Sequence, residues 1–350
     1  MAPGTSASIP ASPWPPAPVT PLSEVPRRRA GSLRRTMHVD VGARTAWGVA
    51  LPMSGAARDI QTGPEGTGAV TVLAEASVTA GFDTGRALVS LETTPDAPWA
   101  RSLVGARIGA GFRRRIDEVI APEEGSSLLR MVLDDLPAGA LISGYAWMRL
   151  ARRQGHDPSN LMSPDIGERM LDLCSGWRRG GEAMESIAAG VGVPLQDCPP
   201  APDLAMADPT GWHAIGPLAP DWMRRRRCID VFVEDPGDPG GRFSVWSMFR
   251  DCVGEPEGGE AVLHEYAVEV DGAGSVIETV RAEPKVLPFP ECPGAAVHVG
   301  ALVGKALSEL PTAVPDTLVG VASCTHLNDL LRALGAAAQL VEAARRDGSG

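Results

Sequence analysis

The sequence predicts an α+β fold of two tandem pseudo-symmetric units, each an antiparallel sheet of about four strands followed by two helices. Three observations carry that prediction. The chain repeats itself in order, roughly 190 residues apart (39 to 229): Val39-Asp40-Val41 is echoed by Ile229-Asp230-Val231, and Arg58-Asp59 by Arg250-Asp251. Val72-Leu73-Ala74-Glu75 returns as Val262-Leu263-His264-Glu265, and Leu133-Asp134-Asp135-Leu136 as Leu327-Asn328-Asp329-Leu330. Within each copy, Val- and Thr-rich alternation precedes apolar spacing of helical period. Finally, 350 residues exceed one average domain, while 44% apolar and 21% charged residues are ordinary for a folded chain.

Residues 1–26 are rich in Pro, Ala and Ser and are expected to be a disordered tail. The first unit, 27–153, opens with strands at 33–41, 46–53 and 57–61, 69–80 and 86–93, the last two joined by a turn at 81–85. Leu103, Ile108, Phe112, Ile116 and Ile120 then make a helical stripe over 99–120. A second apolar stretch, 128–150, is interrupted at Pro137, where Asp134 or Asp135 suits a helix start. Residues 154–221 form a helix, with Ile166, Met170, Cys174 and Trp177 on one face, and a Pro-rich linker. The second unit, 222–346, has strands at 228–234, 242–253, 261–270 and 276–282, the last pair around Asp271-Gly272-Ala273-Gly274. Helices follow at 295–310 and 325–344. Gly105/Gly109 and Gly300/Gly304 are read as small residues on helix faces. The two units are expected to pack as a pseudo-dimer within one chain.

A net charge of −11 argues against a nucleic-acid partner. No apolar run approaches membrane-spanning length, and no export signal opens the chain, so a cytoplasmic protein is expected. The six cysteines are widely spaced and are read as free thiols. Neither a Gly-x-Gly-x-x-Gly nor a Walker pattern is present, and no Gly-x-Ser-x-Gly elbow, so no cofactor is expected. Arginines cluster at 27–29, 113–115 and 224–227, either as a solvated face or as a pocket for carboxylate or phosphate.

Subtracting one copy from the other separates scaffold from candidate chemistry. Arg58-Asp59 and Arg250-Asp251, being shared, read as scaffold. The second copy alone gains His264 for Ala74, His298 for Leu103, Cys324 for Arg130 and His326 for Val132, and it adds Glu291-Cys292-Pro293. Histidine titrates nearest neutrality and a deprotonated cysteine is the strongest nucleophile. Cys324-Thr325-His326 falls at a predicted helix N-terminus, where the dipole lowers a thiol pKa or holds an anion. His264, Cys292, Cys324 and His326 are ligand types for zinc, but their spacing matches no zinc motif, and no metal is expected. His264 and Glu265, adjacent on a strand, face opposite ways.

These residues also carry a resemblance. Asp221-Trp222-Met223 with Arg224 to Val231, Phe249-Arg250-Asp251, Leu263-His264-Glu265-Tyr266, Leu287-Pro288, Glu291-Cys292-Pro293 and Ser323-Cys324-Thr325-His326-Leu327 resemble a bacterial family of unknown function, DUF 2889. The Cys-Thr-His-Leu segment is its most specific mark. Arg34-Arg35-Thr36, Ala57-Arg58-Asp59 and Asp208-Pro209-Thr210-Gly211-Trp212-His213 extend the resemblance into the rest of the chain. Cys228 departs from it, standing where Arg is commoner. The family brings no reaction with it. It implies a loose association with catabolism of aromatic or acyl compounds.

The resulting expectation is a cofactor-independent enzyme of lyase or hydrolase type acting on a small anionic molecule. His326 and His264 exchange protons, Cys324 is nucleophile or orienter, and Arg250 holds a carboxylate. Thr325, Glu265, Glu291 and Cys292 complete the binding set. The alternative is a non-catalytic binding or scaffold protein in which Cys324-Thr325-His326 merely caps and packs a helix.

Overall fold

The computed structural model describes residues 13–42, 51–66, 68–109, 111–120, 127–156, 165–196 and 198–346. The predicted alternation becomes strands β1 (Leu33–Val41), β2 (Leu51–Thr62), β3 (Val70–Phe82) and β4 (Leu88–Thr94). From the second half come β5 (Met223–Val233), β6 (Arg242–Gly254), β7 (Glu260–Ala273) and β8 (Val276–Val286). All eight join one antiparallel sheet in the order β4-β3-β2-β1-β5-β6-β7-β8. The strands expected at 46–53 and 57–61 are one strand, β2, with 46–50 outside the described residues.

The two halves meet where β1 pairs with β5, from Leu33 opposite Val231 to Val41 opposite Met223. Two forked ion pairs lock this seam. Arg34 Nε and Nη2 donate to the two oxygens of Asp230 at 2.6 and 2.7 Å, and Arg224 grips Asp40 in the same way at 2.7 Å twice. These arginine side chains are 0% and 2% exposed, so the bidentate geometry has to repay their desolvation.

Helices cover one face of the sheet. They are α1 (Phe112–Val119), α2 (Leu128–Arg153), α5 (Leu310–Thr317), α6 (Thr325–Ala333) and α7 (Ala337–Arg346), with two shorter ones, α3 (Ile166–Met170) and α4 (Glu182–Ala188), in the connection. Helix α2 starts about two turns earlier than the Asp134 or Asp135 start expected, because Ser127 caps it by accepting the Arg130 amide at 3.2 Å. It then runs through Pro137 without a break. Leu129, Val132, Leu133, Leu136 and Ala140 make a buried stripe against β1, β2, β3 and β5, and this packing outweighs the roughly 3 kcal/mol helix cost of an internal proline. Gly55 permits the close approach, since a Cβ there would come within 2.7 Å of Val132 Cγ1.

Several other expectations are corrected. The stretch 99–120 divides into a 3₁₀ turn, Pro98–Leu103, and α1; 295–310 is mainly a 3₁₀ segment, Cys292–Leu302; and 325–344 breaks at Leu334–Ala336 into α6 and α7. Gly105, Gly109 and Gly304 serve as turn residues with positive φ rather than packing on helix faces. Cys174 and Trp177 lie beyond α3, so the expected four-residue face is not one helix. Part of the predicted disordered tail is ordered: Val19 bridges Val286 on edge strand β8, and Thr20 N donates to Lys285 O at 3.0 Å.

The opposite face lies under this N-terminal stretch and under residues 199–222. Val25, Leu204 and Trp212 pack there on Cys228, Met248 and Ala267. His38 Nδ1 lies 2.6 Å from His213 Nε2, whose ring also meets Thr36 Oγ1 at 2.8 Å through Nδ1. Burial, reinforced for His38 by Arg224 and Arg226 and for His213 by His38 and Arg58, lowers the pair to about 4 and about 3.

Two outcomes are expected. Asp40→Ala or Asp230→Ala strands a buried arginine and lowers stability by about 3–5 kcal/mol, read as a drop in urea midpoint; a loss near zero would show that the forks do not hold the seam. The folded-state values of His38 and His213 lie below that of an unfolded histidine, so the unfolded chain binds protons first. Stability therefore falls as pH drops from about 6.5 towards 4, and His38→Gln with His213→Gln flattens that slope in denaturation series at stepped pH.

Candidate functional site

Strand register builds the site. Asp251 on β6 stands opposite His264 on β7, just before a bulge, and both side chains face the helices. Leu327, Leu330 and Leu331 seat α6 on these strands and bring down His326, the second residue of that helix. His264 Nδ1 lies 3.4 Å from Asp251 Oδ2. The His264 and His326 rings stack with centroids 4.1 Å apart and planes 24° apart. Tyr145 of α2 meets His264 edge-on at 5.5 Å, and Phe249 stacks beyond His326 at 6.2 Å.

Arginines fix the carboxylates. Arg225 donates to both oxygens of Asp251 at 2.7 and 3.0 Å, and reaches Asp329 Oδ2 of α6 at 2.6 Å. Asp329 also accepts from Arg113 at 2.5 Å and from Arg227, which in turn grips Asp135 of α2. Burial alone would raise the Asp251 carboxyl, but Arg225 and His264 hold it well below the usual carboxylate range. Burial, then the adjacent His264, keeps His326 well below the ordinary imidazole value. At neutral pH an ionised Asp251 thus stands behind a neutral His326.

His326 opens on a cleft of about 430 Å³ between α2 and α6, a volume suited to a small organic molecule. Pro137, Ala138, Leu141 and Ile142 form one wall, and Thr325, His326, Asn328 and Arg332 the other. Arg86, Arg113 and Arg225 also reach it. The Asn328 amide donates to Leu318 O at 2.9 Å, while its buried Oδ1 has no partner among the described residues.

The other predicted residues lie elsewhere. Arg250 and Glu265 flank Asp251 and His264 in sequence, so they point to the opposite face of the sheet. There Arg250 Nε donates to Glu265 at 2.6 Å, and its remaining nitrogens donate to Leu22 O and Pro202 O. With its donors so engaged and 0% exposure, Arg250 does not reach the cleft, and Glu265 also accepts the Leu22 amide at 2.7 Å. Glu291 accepts the Glu182 amide at the start of α4. Cys292 is buried, its carbonyl accepting from Tyr266 at 3.2 Å. His298 is exposed, away from the site.

Cys324 does lie next to His326, its Sγ 3.9 Å from Nδ1, but it is 2% exposed. Burial, with Cys174 close by, pushes its thiol up to about 11. Desolvation outweighs the helix end that was expected to activate it. Sequence comparison had set Asp251 aside as shared scaffold; the signal that finds it is parity, since Asp251 and His264 share a face once β6 and β7 are paired. In the first half the matching positions are Asp59, held by Arg35 and opposite Ala74, with Val132 on α2.

Asp251, His264 and His326 have donor atoms within 4.8 Å of one another and are suitable ligand types for a divalent metal. Arg225 already occupies both oxygens of Asp251, however, and stacked rings set their lone pairs in near-parallel planes rather than converging on a point. Stacking likewise sets the two imidazoles face to face rather than in a ring-to-ring hydrogen bond, so His264 acts on His326 through packing and charge.

Residues 223–339 match the family described as protein of unknown function, DUF2889. No curated protein and no solved structure matches the chain. The DUF2889 segment contains Asp251, His264, His326 and all of α6, while the facing wall on α2 lies outside it.

Cys324 is expected to react with a chromogenic disulfide at pH 8 about two orders of magnitude more slowly than a free thiol, and to become fast only on unfolding. The difference between wild type and Cys324→Ser assigns the signal, and a fast folded-state thiol would restore it as a nucleophile.

Proposed function

We propose that this protein is a cofactor-independent enzyme, of lyase or hydrolase type, acting by acid–base chemistry on a small anionic molecule held between α2 and α6. The carrying observation is that neutral His326 faces the cleft with His264 and ionised Asp251 stacked behind it. His326 takes a proton from the bound molecule. The resulting positive charge is stabilised by Asp251 beyond His264, and the proton is returned to the leaving group or product. Arg86 and Arg332 give the cleft its positive rim, and a planar guanidinium matches a carboxylate. We place this reaction in the cytoplasm, with a small molecule as partner and neither nucleic acid nor membrane. Among the described residues no helix is long and apolar enough to cross a membrane.

We also infer that the halves are copies of one ancestral unit joined as a pseudo-dimer, the second carrying the Asp251, His264 and His326 cluster. Supporting this, β1 mirrors β5 at the seam, Arg35–Asp59 mirrors Arg225–Asp251, and a bulge follows both Asp59 and Asp251.

The test begins with a screen of carboxylates for thermal stabilisation and turnover. On the substrate found, His326→Gln and His264→Gln should lower kcat by about 10²–10⁴-fold with KM little changed. Full turnover in both variants would overturn the reading, and binding without conversion by wild type would favour the non-catalytic alternative. A base held below the usual imidazole value stays neutral into mild acid. The acid limb of kcat/KM should accordingly lie below pH 6.5, and His264→Gln, by removing one cause of the depression, should move it upward. Chelator should leave activity intact; loss restored by zinc would turn the same three side chains into a metal centre.

A further inference from the structure

Part of strand β3 has an open outer edge. Strand β4 pairs with it only from Ser77 to Phe82, so Val70 to Ala76 meet no strand on that side among the described residues. Val72 is 48% and Leu73 45% exposed there, whereas their counterparts on β7, Val262 and Leu263, are 0% and 2% exposed. An apolar edge without lysine or proline is a template for another strand.

The second half shows what closes such an edge. Strand β8 likewise pairs with β7 only from Glu265 onward, and the rest of the β7 edge is met by the extended segment Pro199-Pro200-Ala201. Ala201 N donates to Glu260 O at 2.8 Å, and Val262 N donates to Pro199 O at 2.8 Å. Ala201 also packs on the cluster of Cys252, Val262 and Val286. The bulge that decides which backbone groups point outward is shared, falling after Asp59 in one half and after Asp251 in the other. By this register Val72 N–H and Val70 C=O point outward, as those of Val262 and Glu260 do.

The matching segment of the first half is Ile9-Pro10-Ala11, because Pro10-Ala11 precedes Pro200-Ala201 by the same spacing that separates Val72 from Val262. It lies outside the described residues. The chain that follows it is held at the far side of the sheet from β3: Val19 bridges Val286 on β8, and Trp14 lies beneath the guanidinium of Arg178. Arg178 follows Trp177, which packs on Phe289 of the second half. Three residues back from Trp14 add about 10 Å at full extension. Strands β8 and β3 stand six spacings apart in the sheet order, about 29 Å. The segment therefore falls short of the β3 edge of its own chain.

We propose that this edge binds Ile9-Pro10-Ala11 of a second copy of the chain, Ala11 N–H donating to Val70 O and Ile9 O accepting from Val72 N–H. Two copies exchange these segments reciprocally and form a dimer by strand addition. The contact covers Val72 as the linker covers Val262. Glu75 is the only charge between Val70 and Ala76, so nothing on the edge repels an uncharged segment.

Sedimentation velocity of the full-length protein from about 1 to 200 µM tests it, a range suited to a small interface. The mass should double within that range. Ala11→Pro removes the donating N–H and should weaken dimerisation about tenfold or more, while Ala11→Ser keeps the N–H and should leave the dimer unchanged. Val72→Lys charges the edge and should also weaken the dimer, with thermal unfolding showing whether that variant keeps its fold. Hydrogen exchange at the Val72 amide should slow as protein concentration rises. A monomer throughout the range would overturn the proposal. So would a dimer indifferent to Ala11→Pro, which would mean that two β3 edges pair directly or that another surface joins the copies. A Val72 amide whose exchange ignores concentration while the dimer forms would overturn it as well.

Discussion

The pairing of β1 with β5 is the interaction on which the rest of the molecule depends. Without it there are two four-stranded layers, each with an open edge strand. With it there is one sheet, and α2 from the first half comes to stand beside α6 from the second. The forks Arg34–Asp230 and Arg224–Asp40 fix the register of that seam. A slip by one residue would turn every side chain of a strand to the other face and dismantle both clusters of polar groups at once.

Strand parity then divides the chemistry. On the helix side, Arg225, Asp251 and His264 form a charged and imidazole cluster that meets α6. On the other side, the neighbouring Arg224, Arg226, Arg250 and Glu265 meet irregular chain from 199–222 and from the N-terminal stretch. The run Arg224 to Arg227 thus serves both faces alternately. It is neither a solvated face nor one pocket: Arg224, Arg225 and Arg227 are buried in ion pairs, each to a named carboxylate. Such pairs rigidify because removing either partner leaves an uncompensated buried charge.

Much of the fold was legible. Period-two alternation bounded β1 correctly and located seven further strand regions, because a half-buried strand shows its pattern in consecutive residues. The interior of α2 was not legible. Pro137 reads locally as a stop, and only the buried stripe against four strands overrides it. The divided segments at 99–120 and 295–310 failed for a related reason: apolar residues at helical spacing also suit short 3₁₀ turns that change direction between glycines.

At the site, the sequence alone determined which half is loaded with histidine, and His264 and His326 do come together. It also determined that His264 and Glu265 face apart. Which carboxylate stands behind the histidines, whether the thiol is active, and whether Arg250 is free were decided only by tertiary structure. Each depends on burial and on cross-strand neighbours. Residue type sets what a group can do, but its pKa and its free hydrogen-bonding positions follow from the groups that other parts of the chain bring within a few ångström.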